Sequence, residues 1–208
     1  MSMDFTFVLV GPIQPLNELM LKIDAQVKDI GFRKSGSIYK VELDERDVFE
    51  ENEKFEIIGK EISECQPELK DWKGLAVEYT CPEYTIYLLM GNCNDRYLNC
   101  FMDISDKVLD RLIAEDEINS YLRFITTVAV NAKSQGGFGT FEQPFTPIAP
   151  DKTIPYIFNN PAGTPSLLGM IPYSAYEEDE IRDKAGDDYR VSISTQGYYL
   201  LEHRDFRL

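Results

Sequence analysis

The sequence predicts an α+β fold in which a largely antiparallel sheet packs against two to three helices. Apolar runs typical of strands and apolar stripes at helical spacing are partly segregated along the chain, which favours α+β over α/β proteins. Two strand-like runs are joined only by residues 91–96, and a connection that short forces an antiparallel pair. The 208 residues can bury a substantial core, and we expect one domain over residues 1–208.

The N-terminal part of the chain alternates strands with a helix. An apolar run over residues 5–10 ends at Gly11-Pro12 and predicts a strand. Apolar residues between Leu16 and Ile30 recur at helical spacing, which predicts an amphipathic helix that stops at Gly31. Four more strands are predicted at residues 37–43, 75–80, 84–90 and 97–104.

Two consecutive helices are predicted in the middle of the chain. Ser105 is a typical N-cap, and the apolar stripes on the two sides of Glu115 are out of register, so we expect a break there. The second helix is predicted to stop at Gly136-Gly137. Because phosphate-binding loops place their glycines before a helix, the glycines within residues 136–139 are interpreted as a helix C-cap and turn.

Residues 138–176 differ in composition from the rest of the chain. They contain seven of the eleven prolines, and proline is excluded from helix interiors and central strands. We therefore expect a long loop that wraps the core, with short edge strands at about residues 154–158 and 167–171. The chain then ends in a predicted hairpin whose strands, 189–195 and 198–202, are joined by Gln196-Gly197.

Two acidic runs dominate the charge of the chain. Residues 42–53 contain seven carboxylates and one arginine, a net charge of −6, and residues 177–188 contain seven carboxylates, Arg182 and Lys184, a net charge of −5. Together they carry −11 of the formal net charge of −15. Such patches are potential docking surfaces, and they make nucleic acid an unfavourable partner because phosphates would be repelled.

No sequence motif indicates a catalytic chemistry, a cofactor or a metal. His203 is the one histidine, and its charged neighbours near the terminus predict a solvated surface residue. The four cysteines contain no CxxC pair, so we expect free thiols and no zinc site. With no apolar run long enough to span a membrane and no basic N-terminal region, we expect cytoplasmic residence without membrane association.

The favoured hypothesis is a binding protein without catalytic machinery that docks onto a basic protein. In size, charge and lack of catalytic motifs, the chain is similar to bacterial toxin-neutralising immunity proteins. That resemblance implies an acidic surface that covers a basic cleft of a toxin. The expected contacts are carboxylates of both runs with two tyrosine anchors: Asp44, Glu45, Asp47, Glu177, Glu178, Asp179, Glu180, Tyr173 and Tyr176.

Two alternatives stay open from the sequence. The first is a carboxylate- or metal-dependent hydrolase, which rests on the number of carboxylates. The second is a structural or assembly subunit whose 138–176 segment wraps a neighbour. For the chain itself we expect a monomer or a homodimer. Within the favoured hypothesis the second acidic run is preferred, because it lies between tyrosines while the first has apolar residues threaded through it.

Overall fold

The computed structural model describes residues 3–159 and 166–207. Its strands form one sheet in which all neighbouring strands are antiparallel, in the order β3-β2-β4-β5-β6-β1-β7-β8-β10-β9. The strands are β1 (Asp4–Pro12), β2 (Arg33–Leu43), β3 (Phe49–Glu56), β4 (Gly74–Thr80), β5 (Thr85–Cys93), β6 (Tyr97–Ser105), β7 (Gly136–Phe141), β8 (Leu168–Pro172), β9 (Tyr189–Ile193) and β10 (Tyr198–His203).

Six α-helices accompany the sheet within the described residues. They are α1 (Leu16–Asp29), α2 (Gln66–Leu69), α3 (Asp106–Ala114), α4 (Ile118–Asn131), α5 (Pro150–Phe158) and α6 (Glu178–Ala185). Short 3-10 turns occupy Ile62–Cys65 and Arg204–Arg207. The predicted α+β fold with an antiparallel sheet is therefore confirmed. None of the helices in these residues combines the length and apolar character needed to cross a bilayer.

The first face of the sheet is covered by α1, α3, α4 and the segment 62–69. Alternate residues of the central strands point to this face, which gives it a large aromatic and aliphatic core. The buried ring of Phe124 on α4 lies edge-on to Phe32, with centroids 4.9 Å apart, and 5.5 Å from Tyr79. The buried hydroxyl of Tyr121 donates a 3.0 Å hydrogen bond to the carbonyl of Met102 on β6, which fixes α4 against the sheet.

The second face is covered by α5, α6 and the loop 142–149 between β7 and α5. Phe145 from this loop packs on Phe101 with ring centroids 5.4 Å apart, and its carbonyl accepts a 2.8 Å hydrogen bond from Phe49 N. Buried Asn99 holds the same loop, because its side chain accepts from Ile148 N at 2.7 Å and donates to Ile148 O at 3.0 Å. This part of the proline-rich segment wraps the core as predicted.

The local signals in the N-terminal two thirds predicted most of the elements, but not the edge strand β3 or helix α2. α1 spans the predicted stripe, and Gly31 adopts the left-handed backbone (φ 98°) that favours glycine after a helix. Ser105 caps α3 by accepting from Val108 N, and the predicted break near Glu115 separates α3 from α4. The predicted C-terminal hairpin is also present as β9 and β10, although its connection also includes Ser194 and Thr195.

The interpretation of residues 136–139 as a helix cap and turn is wrong. α4 ends at Asn131, and Gly136–Phe141 forms β7, an interior strand between β1 and β8. The glycines are needed because aromatic rings of β1 occupy the space that a side chain would take. A Cβ atom at Gly139 would lie 2.5 Å from the Phe5 ring, and one at Gly137 would lie 2.7 Å from the Phe7 ring.

Two predictions for the proline-rich segment also need correction. Residues 154–158 belong to helix α5 rather than an edge strand, with Pro150 in the first turn and Pro155 inside the helix. The proline costs about 3 kcal/mol in a helix interior, and the burial of Thr153 and Ile157 on the sheet offsets that cost. The strand predicted at 167–171 exists as β8, but it is paired on both sides and is not an edge. Residues 160–165 lie outside the described residues.

Candidate docking surfaces

The two acidic runs lie at opposite edges of the sheet. We call residues 42–56 the acidic hairpin: they comprise the end of β2, a tight turn and the edge strand β3. We call residues 177–188 the acidic helix: they comprise α6 and the residues that lead into β9, the other edge strand. Eight strands separate β3 from β9, so the runs form two surfaces rather than one patch.

The turn of the acidic hairpin is built by Asp44. Its carboxylate accepts hydrogen bonds from the backbone N–H groups of Arg46 and Val48, both at 2.8 Å, in the manner of an Asx turn. The bond from Val48 and the partly exposed ion pair with Arg46 lower the pKa of Asp44. Arg46 also contacts Glu50 at 2.5 Å. Predicted contact residue Asp44 thus has a structural role of its own.

Other carboxylates of the acidic hairpin divide into paired and unpaired groups. Glu42 pairs with Lys40 at 2.8 Å, which lowers the pKa of Glu42. Glu51 accepts a 2.7 Å hydrogen bond from the hydroxyl of Tyr87 on β5. Two exposed carboxylates, Glu45 and Asp47, have no hydrogen bond or ion pair to any residue that the structure describes. Exposed Glu53 also lacks a hydrogen bond and a close ion pair, but its charge interacts with that of Lys40 on the neighbouring strand.

A cleft of about 680 Å³ lies beside the acidic hairpin. Two glycines allow the hairpin to fold over the sheet here. A Cβ atom at Gly74 would lie 2.5 Å from Val41 O, and one at Gly91 would lie 2.4 Å from the Phe49 ring. The cleft is lined by two strands of the hairpin, the segment before β4 and the β5–β6 turn: Lys40, Val41, Glu42, Leu43, Phe49, Asp71, Lys73, Asn92, Asn94 and Asp95.

The carboxylates of the acidic helix mostly stabilise the helix itself. Glu177 and Glu180 form a capping box, in which Glu177 N donates to the Glu180 carboxylate at 3.1 Å. Glu178 pairs with Arg182 one turn later at 2.6 Å. Glu178, Asp179 and Glu180 also lie in the first turn, where negative charge is favourable against the helix dipole. These acidic residues are therefore explained by helix formation.

The two predicted tyrosine anchors beside the acidic helix are used in internal packing. The Tyr173 ring lies 4.6 Å from Tyr199, and its hydroxyl donates to Ser194 O, although 37% of the residue stays exposed. Tyr176 is half-buried against the second core, with the Lys184 ammonium 5.3 Å from its ring centroid. Together they fix the connection between β8 and α6.

A polar row on the second sheet face was not predicted from the sequence. The register aligns five side chains across β4, β5, β6, β1 and β7: Glu78, Tyr87, Asp103, Thr6 and Thr140. Burial raises the pKa of Asp103 to about 6, although the Thr6 hydroxyl donates a hydrogen bond to its carboxylate. Alternation of polar residues with apolar ones in these strands is the signal that could have found the row.

The prediction that His203 is a solvated surface residue is wrong. His203 lies at the end of β10 and is 6% exposed, with its ring 5.0 Å from that of Tyr189. Its Nδ1 accepts a hydrogen bond from Asp205 N at 3.2 Å. Burial arises because residue 203 continues the inward alternation of Tyr199 and Leu201, which the charged neighbours along the chain conceal.

The cysteines and acidic clusters form no metal site in the described part of the chain. All four cysteines are free thiols, and Cys81 is the one that is partly exposed. Burial raises the pKa of Cys93 to about 12. Among residues 3–159 and 166–207, no group of three or more His, Cys, Asp or Glu side chains has a metal-binding arrangement.

Comparisons with known proteins show a likeness in fold. No protein-family model matches this chain, and no curated protein is significantly similar to it in sequence. Its structure is similar to that of the Pseudomonas aeruginosa T6SS protein PA0821, with a TM-score of 0.53 and 9% sequence identity over 96% of this chain. The chain spans 65% of the length of that protein. At this identity the likeness concerns the fold alone.

Proposed function

We propose that this protein is a non-catalytic binding protein whose acidic hairpin docks onto a basic partner protein. The observation that carries the proposal is that the acidic hairpin has exposed carboxylates and an exposed edge strand, with a large cleft beside it. Complementary charge steers association and selects partners, while a neighbouring pocket gives an anchor for affinity. A bacterial partner of the toxin type, neutralised by this contact, is the specific form of the proposal.

A likeness in fold accompanies the surface argument for this assignment. The similar structure is named as a T6SS protein, which is compatible with a bacterial, secretion-related role for a protein of this shape. Fold likeness does not carry function by itself. The argument therefore rests on the surface of this chain, and its net charge of −15 favours a basic protein over nucleic acid.

The acidic hairpin is the better docking surface of the two. Glu45 and Asp47 are exposed and unpaired in the described structure, so a partner can bind them without breaking an internal ion pair. Glu53 is exposed as well, and its charge interacts with Lys40 across the β2–β3 pair beyond ion-pair distance. In the acidic helix, Glu177, Glu178 and Glu180 already serve the helix. The sequence-based preference for the second run is thus reversed, and Tyr173 and Tyr176 are assigned to internal packing.

A pair of charge-matched variants tests the proposal. The hairpin variant carries Glu45→Lys, Asp47→Lys and Glu53→Lys, and the helix variant carries Asp179→Lys, Asp183→Lys and Asp187→Lys. Both change the net charge by the same amount at exposed positions. The immobilised wild-type protein captures its partner from a lysate of its own host, and the Kd of the purified partner is then measured at low and high salt.

The hairpin variant should bind about 100-fold more weakly at low salt, with a flatter salt dependence, because several complementary charges are replaced by repulsive ones. The helix variant should stay within about threefold of wild type. An equal loss in both variants would mean that net charge alone attracts the partner. A loss confined to the helix variant would assign docking to the other edge of the sheet.

A further inference from the structure

The cleft beside the acidic hairpin has an uneven charge balance. Three carboxylates and two lysines line it. Glu42 is paired with Lys40 at 2.8 Å, and Asp95 is paired with Lys73 at 3.5 Å. The third carboxylate, Asp71, is exposed and has no hydrogen bond or ion pair to the described residues. Asp71 is therefore the carboxylate of the cleft lining without a cation partner in the described structure, while its chain neighbour Lys70 lines the adjoining groove.

Three apolar residues also line the cleft: Val41, Leu43 and Phe49. Val41 and Phe49 are 1% and 4% exposed, so half-buried Leu43 provides the accessible apolar side chain beside them. Phe49 is held by Phe101, with ring centroids 6.0 Å apart, and by its backbone bond to Phe145. An aliphatic stem can pack on Leu43 while its charged end reaches the rim.

An unused hydrogen-bond acceptor lies in the same wall as Asp71. Asn92 donates to Gln14 O at 2.9 Å, but its own side-chain oxygen is buried and has no hydrogen-bond partner among residues 3–159 and 166–207. Buried acceptors are nearly always paired, and each exception calls for a donor. A planar cation with several N–H groups can serve a carboxylate and an amide oxygen together, whereas an ammonium is a single point of charge.

A second groove of about 430 Å³ adjoins the cleft on the other side of Asp71, Lys73 and Asn92. Besides the three shared residues, it is lined by the one tryptophan of the chain and five others: Ile13, Gln14, Pro15, Leu16, Lys70 and Trp72. Ile13 is 44% exposed. Tryptophan in a groove next to a charged rim is typical of binding hot spots.

We propose that the cleft binds an arginine side chain of the basic partner and that the groove at Trp72 binds an apolar residue adjacent to that arginine. Asp71 is the counter-ion, Leu43 beside Phe49 holds the aliphatic stem, and Asn92 offers its oxygen once its side chain turns toward the cleft and exchanges its hydrogen bond to Gln14 O for one from the arginine. This inference rests on the proposed function and defines the chemistry of that site. The recognised element is a short basic-apolar segment.

The test uses the dipeptide Ac-Leu-Arg-NH2 with ¹⁵N-labelled protein. Its uncharged analogue Ac-Leu-citrulline-NH2 keeps the shape and removes the charge. The arginine peptide should shift the amide resonances of residues 71–73 and 92–95 and change the fluorescence of Trp72, whereas the citrulline peptide should bind about tenfold more weakly. Asp71→Asn should weaken binding of the arginine peptide by a similar factor, and the matched variant Asp179→Asn should leave that binding unchanged.

Several results would overturn the inference. Equal binding of both peptides would remove the role of the charge, and equal binding to wild type and Asp71→Asn would remove the role of this carboxylate. Shifts spread evenly over residues 42–56 and 177–188 would indicate a diffuse ion atmosphere. Stronger binding of Ac-Leu-Lys-NH2 than of the arginine peptide would contradict recognition of a planar cation.

Failure of this inference and failure of the proposed function give different results. If the three hairpin substitutions weaken binding of the partner while the peptide does not bind, docking by the hairpin is supported and the arginine site is contradicted. If the peptide occupies the cleft while those substitutions leave the affinity for the partner unchanged, the arginine site is supported and docking by the hairpin is contradicted.

Discussion

The acidic hairpin and the acidic helix carry almost the same charge, −6 over residues 42–53 and −5 over residues 177–188, but they are built differently. The helix is a local structure, since its capping box and its Glu178–Arg182 pair lie within one or two turns. The hairpin is held by distant contacts, because its Phe49 packs over Gly91 and is bonded to Phe145.

This difference shows that two acidic runs of similar charge can be distinguished by the structure that surrounds each of them. Charges of the helix have a sufficient local explanation in capping and the helix dipole. Beside the hairpin lie a cleft and a tryptophan-lined groove, whose walls include residues from other parts of the chain. Long-range packing, rather than the number of carboxylates, therefore distinguishes the surroundings of the two runs.

The largest expected effect concerns the glycine under the hairpin. Gly91→Ala would place a Cβ atom 2.4 Å from the Phe49 ring, and overpacking of this kind costs about 2 to 3 kcal/mol. The free energy of unfolding, measured by urea denaturation, should fall by that amount. Hydrogen exchange should speed up in residues 41–56 and stay unchanged in α6.

A second substitution checks the cause of that effect. Phe49→Leu in the Gly91→Ala background makes room for the methyl group, so part of the lost stability should return. If the two substitutions simply add, the ring is not what the methyl group meets, and the account of how the hairpin is held would be wrong.

The next effect is a dependence of the protein's stability on pH, caused by Asp103 in the sheet. Asp103, in the polar row that includes Tyr87 beside the hairpin, titrates at about 6 in the folded protein against 3.8 for an ordinary aspartate. Between these values the folded state binds more protons than the unfolded state, so this group's contribution to stability falls as pH rises and stays low above about 6. Asp103→Asn should remove that loss and stabilise the protein by about 2 kcal/mol at pH 7.

The pH prediction has a simple readout. Urea denaturation of wild type and Asp103→Asn at pH 5 and pH 7.5 should give a difference in stability that grows with pH. A difference that stays constant would mean that Asp103 is not protonated in the folded protein near pH 5, and a difference that shrinks would reverse the sign of the argument.

The smallest effect concerns the helix. Glu180→Ala removes the carboxylate that accepts from Glu177 N and should destabilise the protein by about 0.5 kcal/mol, in the lower range for capping interactions. Hydrogen exchange should increase in the first turn of α6 and remain unchanged in the hairpin. Glu180→Gln, which retains an acceptor oxygen, is the matched control and should show less of the change.

Sequence patterns predicted those parts of the fold that depend on near neighbours. The stripe of α1, the Ser105 cap and the β5–β6 hairpin follow from periodicity and local capping. β7 could not be predicted in this way, because its glycines make sense only against the rings of Phe5 and Phe7 in another strand. α5 was missed for the same reason, since burial on the sheet overrides the local effect of Pro155.

The candidate site was predictable only in its charge. Glu45 and Asp47 were predicted from the sequence as contacts, and both are exposed in the structure. The sequence did not predict a role at this site for Asp71, Trp72 or Asn92, because nothing near them in sequence indicates that they lie beside the hairpin. Asp44 was identified as a contact, but its bonds to the turn make it a structural residue as well.

The most direct test of the central claim is a hydrogen-exchange footprint of the complex with the captured partner. Slower exchange should appear in residues 42–56, 71–73 and 92–95, while α6 and β9 should exchange as they do in the free protein. Protection confined to residues 177–193, with the acidic hairpin unchanged, would contradict the assignment of docking to the hairpin.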